Sequence, residues 1–98
     1  MPKFINLYQF TDQGIRNYQG TVDRTKNAQE AIEKMGGKLQ SFHWTLGEYD
    51  LVSLTEFPDD ETAAAFSLKL AALGNARVTT LRAFDKDEMA KIIAKASR

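Results

Sequence analysis

The chain has 98 residues, enough for one domain spanning 1–98 and too few for two. Hydrophobic residues make up 43% and charged residues 27%, ordinary globular usage that argues against disorder. Thirteen basic residues balance thirteen acidic ones, which removes any net attraction to the phosphates of nucleic acid, and the lack of cysteine excludes disulfides, thiolate nucleophiles and thiolate metal sites. No stretch approaches transmembrane length, and Met1 to Asn6 lack the apolar run of a signal peptide. No nucleic-acid or membrane partner is therefore expected, and cytoplasmic is the expected location.

Lys3 to Phe10, rich in Phe, Ile, Leu and Tyr, predicts a first strand. Thr11-Asp12-Gln13-Gly14 follows as a turn. From about Gly20 to Met35, the spacing of Val22, Ala28, Ala31, Ile32 and Met35 predicts an amphipathic helix, stopped by Gly36-Gly37. Leu39 to Leu46 and Tyr49 to Phe57 are two β-rich runs, and Gly47-Glu48 between them predicts a tight two-residue hairpin. Pro58 ends the second run, and Asp59-Asp60-Glu61 suits the positive end of a helix whose stripe is Ala63, Phe66, Leu70 and Leu73. After Gly74-Asn75, Ala76 to Phe84 reads as a fourth strand. Asp85 or Asp87 then caps a final helix with Met89, Ile92, Ile93 and Ala96 on its buried side.

The order strand, helix, strand, strand, helix, strand is the ferredoxin-like βαββαβ plan. It is an α+β fold with two helices on one face of a four-stranded antiparallel sheet, here with an added C-terminal helix. The first and third strands are central in that plan. Two helices cover one face only, and an antiparallel sheet with a wet face should alternate apolar and polar residues. These strands do not. Ile5 and Leu7 oppose Phe4, Tyr8 and Phe10, Val52 and Leu54 oppose Tyr49, Leu51 and Phe57, and Leu39 opposes Phe42, Trp44 and Leu46. A second layer over the free face is expected, either another copy of the chain or the C-terminal helix folded back. Which face of the second strand meets that layer is open.

Gly47-Glu48-Tyr49-Asp50 resembles the motif that names the GYD domain family. Further landmarks stand in the matching order: Thr11-Asp12-Gln13-Gly14, Gly36-Gly37, Thr45-Leu46-Gly47, Glu56-Phe57-Pro58-Asp59-Asp60 and Thr79-Thr80-Leu81-Arg82-Ala83-Phe84. The resemblance implies a dimeric α/β barrel in which two sheets pack face to face, hence a homo-oligomer whose first partner is itself. It implies no activity. Relatives of the fold include small monooxygenases, haem enzymes, isomerases and ligand-sensing domains, and one fold serves many functions.

Several residues carry polar chemistry. His43, the only histidine, suits a general base or a haem ligand, and equally an exposed strand residue bonded to a neighbour. No cofactor is expected beyond that haem alternative, and no metal site. Asp50 either holds a turn, pairs with Arg82 or Arg77, or lines a pocket as a base. Tyr49 reads as packing. Asn6 and Tyr8 share one face of the first strand and need partners if buried. In relatives of the fold the ligand cavity lies between sheet and helices. The candidate ligand-binding set is thus Asn6, Tyr8 and whichever of His43 and Trp44 faces inward. Two functions follow as expectations: a homo-oligomeric domain holding a small apolar or aromatic ligand, or a small cofactor-independent monooxygenase- or isomerase-like enzyme using His43, Asp50 or Tyr8 for proton transfer.

Overall fold

A computed structural model describes residues 1–98. The strands β1 (Lys3–Phe10), β2 (Lys38–Trp44), β3 (Leu51–Glu56) and β4 (Ala76–Ala83) form one antiparallel sheet in the order β2-β3-β1-β4. β1 and β3 are central, as the ferredoxin-like plan requires. The helices are α1 (Asp12–Arg16), α2 (Thr21–Lys34), α3 (Asp60–Ala72) and α4 (Lys86–Ala96), with a 3₁₀ turn at Tyr18–Gly20.

The first departure from the sequence reading is Thr11 to Gly14, which opens a five-residue helix rather than a plain turn. Thr11 is its N-cap, its hydroxyl accepting from the Gly14 N–H at 3.1 Å. Gly14 is buried against the α3–β4 connection, where a Cβ would lie 1.9 Å from the Asn75 carbonyl oxygen. Gln13 Nε2 donates to the Leu73 carbonyl at 3.1 Å and to Asn75 Oδ1 at 3.0 Å. The motif is thus a clamp between two chain segments distant in sequence.

The second departure is the β2–β3 connection. Thr45 N–H donates to the Asp50 carbonyl at 2.9 Å and Thr45 Oγ1 to the Tyr49 carbonyl at 2.6 Å, so Tyr49 and Asp50 lie in a longer loop before β3. Asp50 is held there by β1: its N–H donates to the Tyr8 carbonyl at 2.8 Å, and its Oδ2 accepts from the Phe10 N–H at 2.7 Å. The Thr45–Asp50 bond is what lengthens the connection, because a hairpin turning on Gly47-Glu48 alone would be closed by Leu46 with Tyr49.

A third lies in β2. The pairing runs Leu39 with Thr55 and then Ser41 with Leu54, leaving Gln40 as a bulge. One extra residue reverses the alternation. Leu39 therefore joins Phe42 and Trp44 on the helix-covered face, while Ser41 and His43 face the other way.

Two helices, α2 and α3, cover one face. Phe4, Ile32, Phe57, Ala63 and Phe66 form the larger buried cluster, with Phe57 5.5 Å from Phe66 and 6.0 Å from Phe4 between ring centroids. Tyr8, Leu51 and Ala76 form the smaller. Val22 and Leu73, expected on the buried stripes, are exposed. In the first turn of α2 the position toward the sheet belongs to Thr21, whose hydroxyl accepts from Trp44 Nε1–H at 3.1 Å. Leu73 already belongs to the turn leaving α3, where Gly74 takes the left-handed φ of +84°.

The last helix also differs. Asp85 caps α4, its carboxylate accepting from the Glu88 N–H at 2.8 Å while Glu88 returns the bond to the Asp85 N–H at 3.1 Å. The expected buried side is not buried: Met89, Ile92 and Ile93 are all exposed, and α4 makes no substantial contact with any other element. It does not fold back over the sheet. The molecule measures 52 × 30 × 19 Å with a radius of gyration of 14.8 Å, above the roughly 13 Å of a compact chain this long.

Candidate functional site

Cross-strand register stacks the helix-covered face into rows. The middle row joins Thr80, Asn6, Ser53 and Phe42. Asn6 Nδ2 donates to Ser53 Oγ and Thr55 Oγ1, both at 3.0 Å, and Asn6 Oδ1 accepts from Thr80 Oγ1 at 3.1 Å. Tyr8 Oη and Ser53 Oγ share a hydrogen bond at 2.9 Å. No buried side-chain polar atom lacks a partner. This satisfied layer crosses the apolar core and divides the Phe4 cluster from the Tyr8 cluster. Burial pushes the Tyr8 phenol above its ordinary value of 10.0, with the Ser53 bond opposing, so the group is neutral at physiological pH.

Beyond the polar layer, at the end where Phe10 pairs with Ala76, the helices stand off the sheet and leave a cavity of about 420 Å³. Its walls are mainly apolar: Tyr8, Phe10, Phe42, Leu51, Phe66 and Leu70. Arg24 and Lys69 belong to its lining, and no carboxylate does. The size matches that of small-molecule sites in general.

The residues singled out from the sequence fall in different places. Asn6 and Tyr8 lie together, linked through Ser53. Trp44 is on the same side, 5.3 Å from Phe42 between ring centroids, and stays partly exposed at the sheet edge. His43 is on the opposite face, exposed, so the strand's inward member is Trp44. Asp50 holds the end of β1 through Phe10 and pairs with neither Arg82 nor Arg77. Arg82 instead pairs with Glu88 at 3.4 Å and lies over the Phe4 and Phe84 rings. His43, Asp50 and Tyr8 are therefore not brought into one site. No group of three or more His, Cys, Asp or Glu side chains is placed to hold a metal ion.

Sequence reasoning missed Ser53, Thr55 and Thr80 as partners of Asn6. The signal was present in β3, where a serine and a threonine occupy consecutive inward positions between Leu51 and Phe57. Arg24 was missed as one charge on a helix rich in them, and Lys69 because a lone lysine in the last turn of a helix reads as answering the dipole.

The other face of the sheet carries two apolar rows with nothing over them. Leu54, Ile5 and Leu81 are neighbours across β3, β1 and β4, and Val52 and Leu7 are neighbours in the next row. Ile5 and Leu81 are exposed, at 36% and 45%. Lys38, Glu56 and Lys3 alternate in sign at one end of the face.

An α+β domain with one covered and one bare sheet face is the class of protein defined by this geometry. The GYD domain model matches residues 4–93, and the chain belongs to that family. It is 33% identical over 84 residues to the glutamine synthetase and cystathionine beta-lyase binding protein of Thermus thermophilus, a match covering 85% of this chain and 88% of that relative. No helix is long and apolar enough to cross a membrane.

Proposed function

We propose that the chain is a protein-binding domain that pairs with a second copy of itself through the bare sheet face and binds a partner enzyme. The observation that carries the reading is the pair of uncovered apolar rows, Leu54–Ile5–Leu81 and Val52–Leu7. Burial of apolar area is worth roughly 25 cal/mol per Å², so covering side chains of this size contributes several kcal/mol before the cost of association. A two-fold contact needs a surface complementary to itself. Two apolar rows flanked by Lys38, Glu56 and Lys3 meet that need, and zero net charge leaves little repulsion between copies. The relative's name supports the second half of the reading, and makes glutamine synthetase and cystathionine beta-lyase the first partners to test.

Sedimentation equilibrium and co-elution with each purified enzyme test it. A dimer is expected at micromolar concentration, converted to a folded monomer by Leu7→Glu, together with saturable binding to at least one enzyme. A wild-type chain that stays monomeric and elutes apart from both enzymes overturns the reading.

A further inference from the structure

The cavity between the sheet, the first half of α2 and the second half of α3 is not used by the bare-face interface, which lies on the opposite side of the sheet. Its composition is specific. The apolar walls include four aromatic rings, Tyr8, Phe10, Phe42 and Phe66, and Tyr8 and Phe42 are stacked with centroids 6.0 Å apart. The lining has two cations and no anion, in a chain whose acidic and basic residues are equal in number.

Neither cation is neutralised by the protein. The ion pairs in the structure are Lys3 with Asp85 and Arg82 with Glu88, leaving both Arg24 and Lys69 without a carboxylate within ion-pair distance. Arg24 is nevertheless held in place. Its Nη1 donates to the Asn17 carbonyl at 2.7 Å and its Nη2 to the Gly14 carbonyl at 3.5 Å, and its guanidinium lies 6.0 Å from the Phe10 ring centroid. Carbonyl dipoles orient the fork but bring no negative charge, and N–H groups remain for another acceptor. The topology puts both cations at one end of the cavity. α2 begins and α3 finishes at the end of the sheet where Phe10 pairs with Ala76, and Arg24 and Lys69 stand in those two half-helices.

An apolar wall with a held, unneutralised guanidinium at its margin is complementary to a molecule with an apolar body and one terminal anion. We propose that this cavity binds a small amphiphilic carboxylate. Its aromatic or aliphatic body lies against Tyr8, Phe42 and Phe66, and its carboxylate is held by Arg24 with support from Lys69. The neutral Tyr8 phenol is already engaged with Ser53, so it contributes ring surface and leaves charge recognition to the helices.

The chain carries its own reporter. Trp44, the only tryptophan, touches Phe42 and donates to Thr21, and both of those residues line the cavity. The test is titration of the full chain with 4-phenylbutyrate, 4-phenylbutanol and 4-phenylbutylamine, followed by Trp44 fluorescence and calorimetry. These probes share one body and differ in the charge of one end. The carboxylate is expected to bind about tenfold or more tighter than the alcohol, with the amine weakest, because a hydrogen bond between two charged groups is stronger than one to a neutral hydroxyl. Arg24→Gln, which removes the guanidinium along with its bonds to the Asn17 and Gly14 carbonyls, is expected to lower the carboxylate's affinity more than the alcohol's and so to remove that preference. Ala28→Leu is expected to fill the cavity and weaken all three. Leu7→Glu, on the far face, is expected to change none of them, which separates this site from the assembly proposed above. Equal binding of carboxylate and amine, a carboxylate affinity indifferent to Arg24→Gln, or the absence of saturable binding by any of the three overturns the proposal.

Discussion

The two ends of the helix-covered layer share the same strands and helices, yet one is filled and the other is hollow. At the filled end, α2 presents Ile32 and Met35 and α3 presents Ala63 and Phe66 to a floor of Phe4 and Phe57. At the hollow end, α2 presents Thr21, Arg24, Thr25 and Ala28, and α3 presents Leu70 and Lys69. The difference is one of side-chain volume along each helix. Small and polar residues near the start of α2 leave a gap that the rings of Phe10 and Phe42 edge without closing. Asn6, Ser53, Thr55 and Thr80 form the partition between the ends.

The sharpest test of the contrast removes one ring from each end. Phe57 is 1% exposed and touches both Phe4 and Phe66. Phe57→Ala is expected to cost about 3–5 kcal/mol, the usual price of a buried aromatic. Phe42→Ala removes a half-buried ring from a wall that already faces empty space, and its cost should fall clearly below that of Phe57→Ala. Urea denaturation of both variants measures the gap, and equal costs would erase the distinction between a packed end and an open one.

The partition should give the next largest effect. Asn6→Ala takes from the buried Thr55 hydroxyl its side-chain partner, while Ser53 keeps Tyr8 and the exposed Thr80 keeps Ser67, and an unsatisfied buried group costs about 1–3 kcal/mol. Asn6→Asp is the informative companion. A carboxylate can still accept from all three hydroxyls but cannot donate, and its charge is buried at a residue 3% exposed. Both variants should lower the urea midpoint, and Asn6→Asp should recover stability as pH falls and the group protonates.

Gly14→Ala acts only at the hollow end, where α1 closes against Asn75. The added Cβ meets a backbone carbonyl, which cannot swing aside as a side chain can. Overpacking of this kind costs about 1–3 kcal/mol. The expected sign is a lower melting temperature, with amide exchange accelerated first at Thr11, whose N–H donates to the Asn75 carbonyl at 3.1 Å.

Much of this was legible in the sequence and some was not, for reasons that can be located. The strand and helix order followed from β-rich runs bounded by turn residues and from helical spacing, which puts Ile32 and Phe66 on apolar stripes. Leu39 was assigned to the wrong face because a bulge leaves no trace in a polar residue such as Gln40, and one inserted residue inverts all that precedes it. The tight hairpin at Gly47-Glu48 was a reading of local turn chemistry, whereas the strands close one residue further out on each side, at Thr45 and Asp50. Asn6 and Tyr8 stood out as polar groups needing partners, but the cavity beside them is an absence of volume, which no residue announces. The burial expected of Met89, Ile92 and Ile93 came from amphipathicity, and amphipathicity states that a face needs covering without stating by what.

α4 belongs to neither end, and its weakest point is chemical rather than steric. The Asp85 carboxyl is held below its ordinary value of 3.8, first by the Glu88 backbone N–H and then by the Lys3 ammonium, 3.0 Å away. A carboxyl with a depressed folded value contributes stability that is present above 3.8 and is lost as pH falls through the lower folded value. Lys3 has the opposite sign: Asp85 raises its ammonium above 10.5, so its contribution is full below that value and is lost as pH rises through the folded one. Both partners are partly exposed, and salt should weaken the effect. Since α4 meets the sheet only near its first turn, through Glu88 with Arg82 and Asp85 with Lys3, the response should be local. Below pH 3.8 the amides of residues 86–89 should lose protection before those of β1 and β3, and Asp85→Ala should reproduce that fraying at neutral pH without moving the global urea midpoint. If the midpoint moves with the helix, α4 is coupled to the core through something it covers, and a second copy's bare sheet face is the surface on which to look.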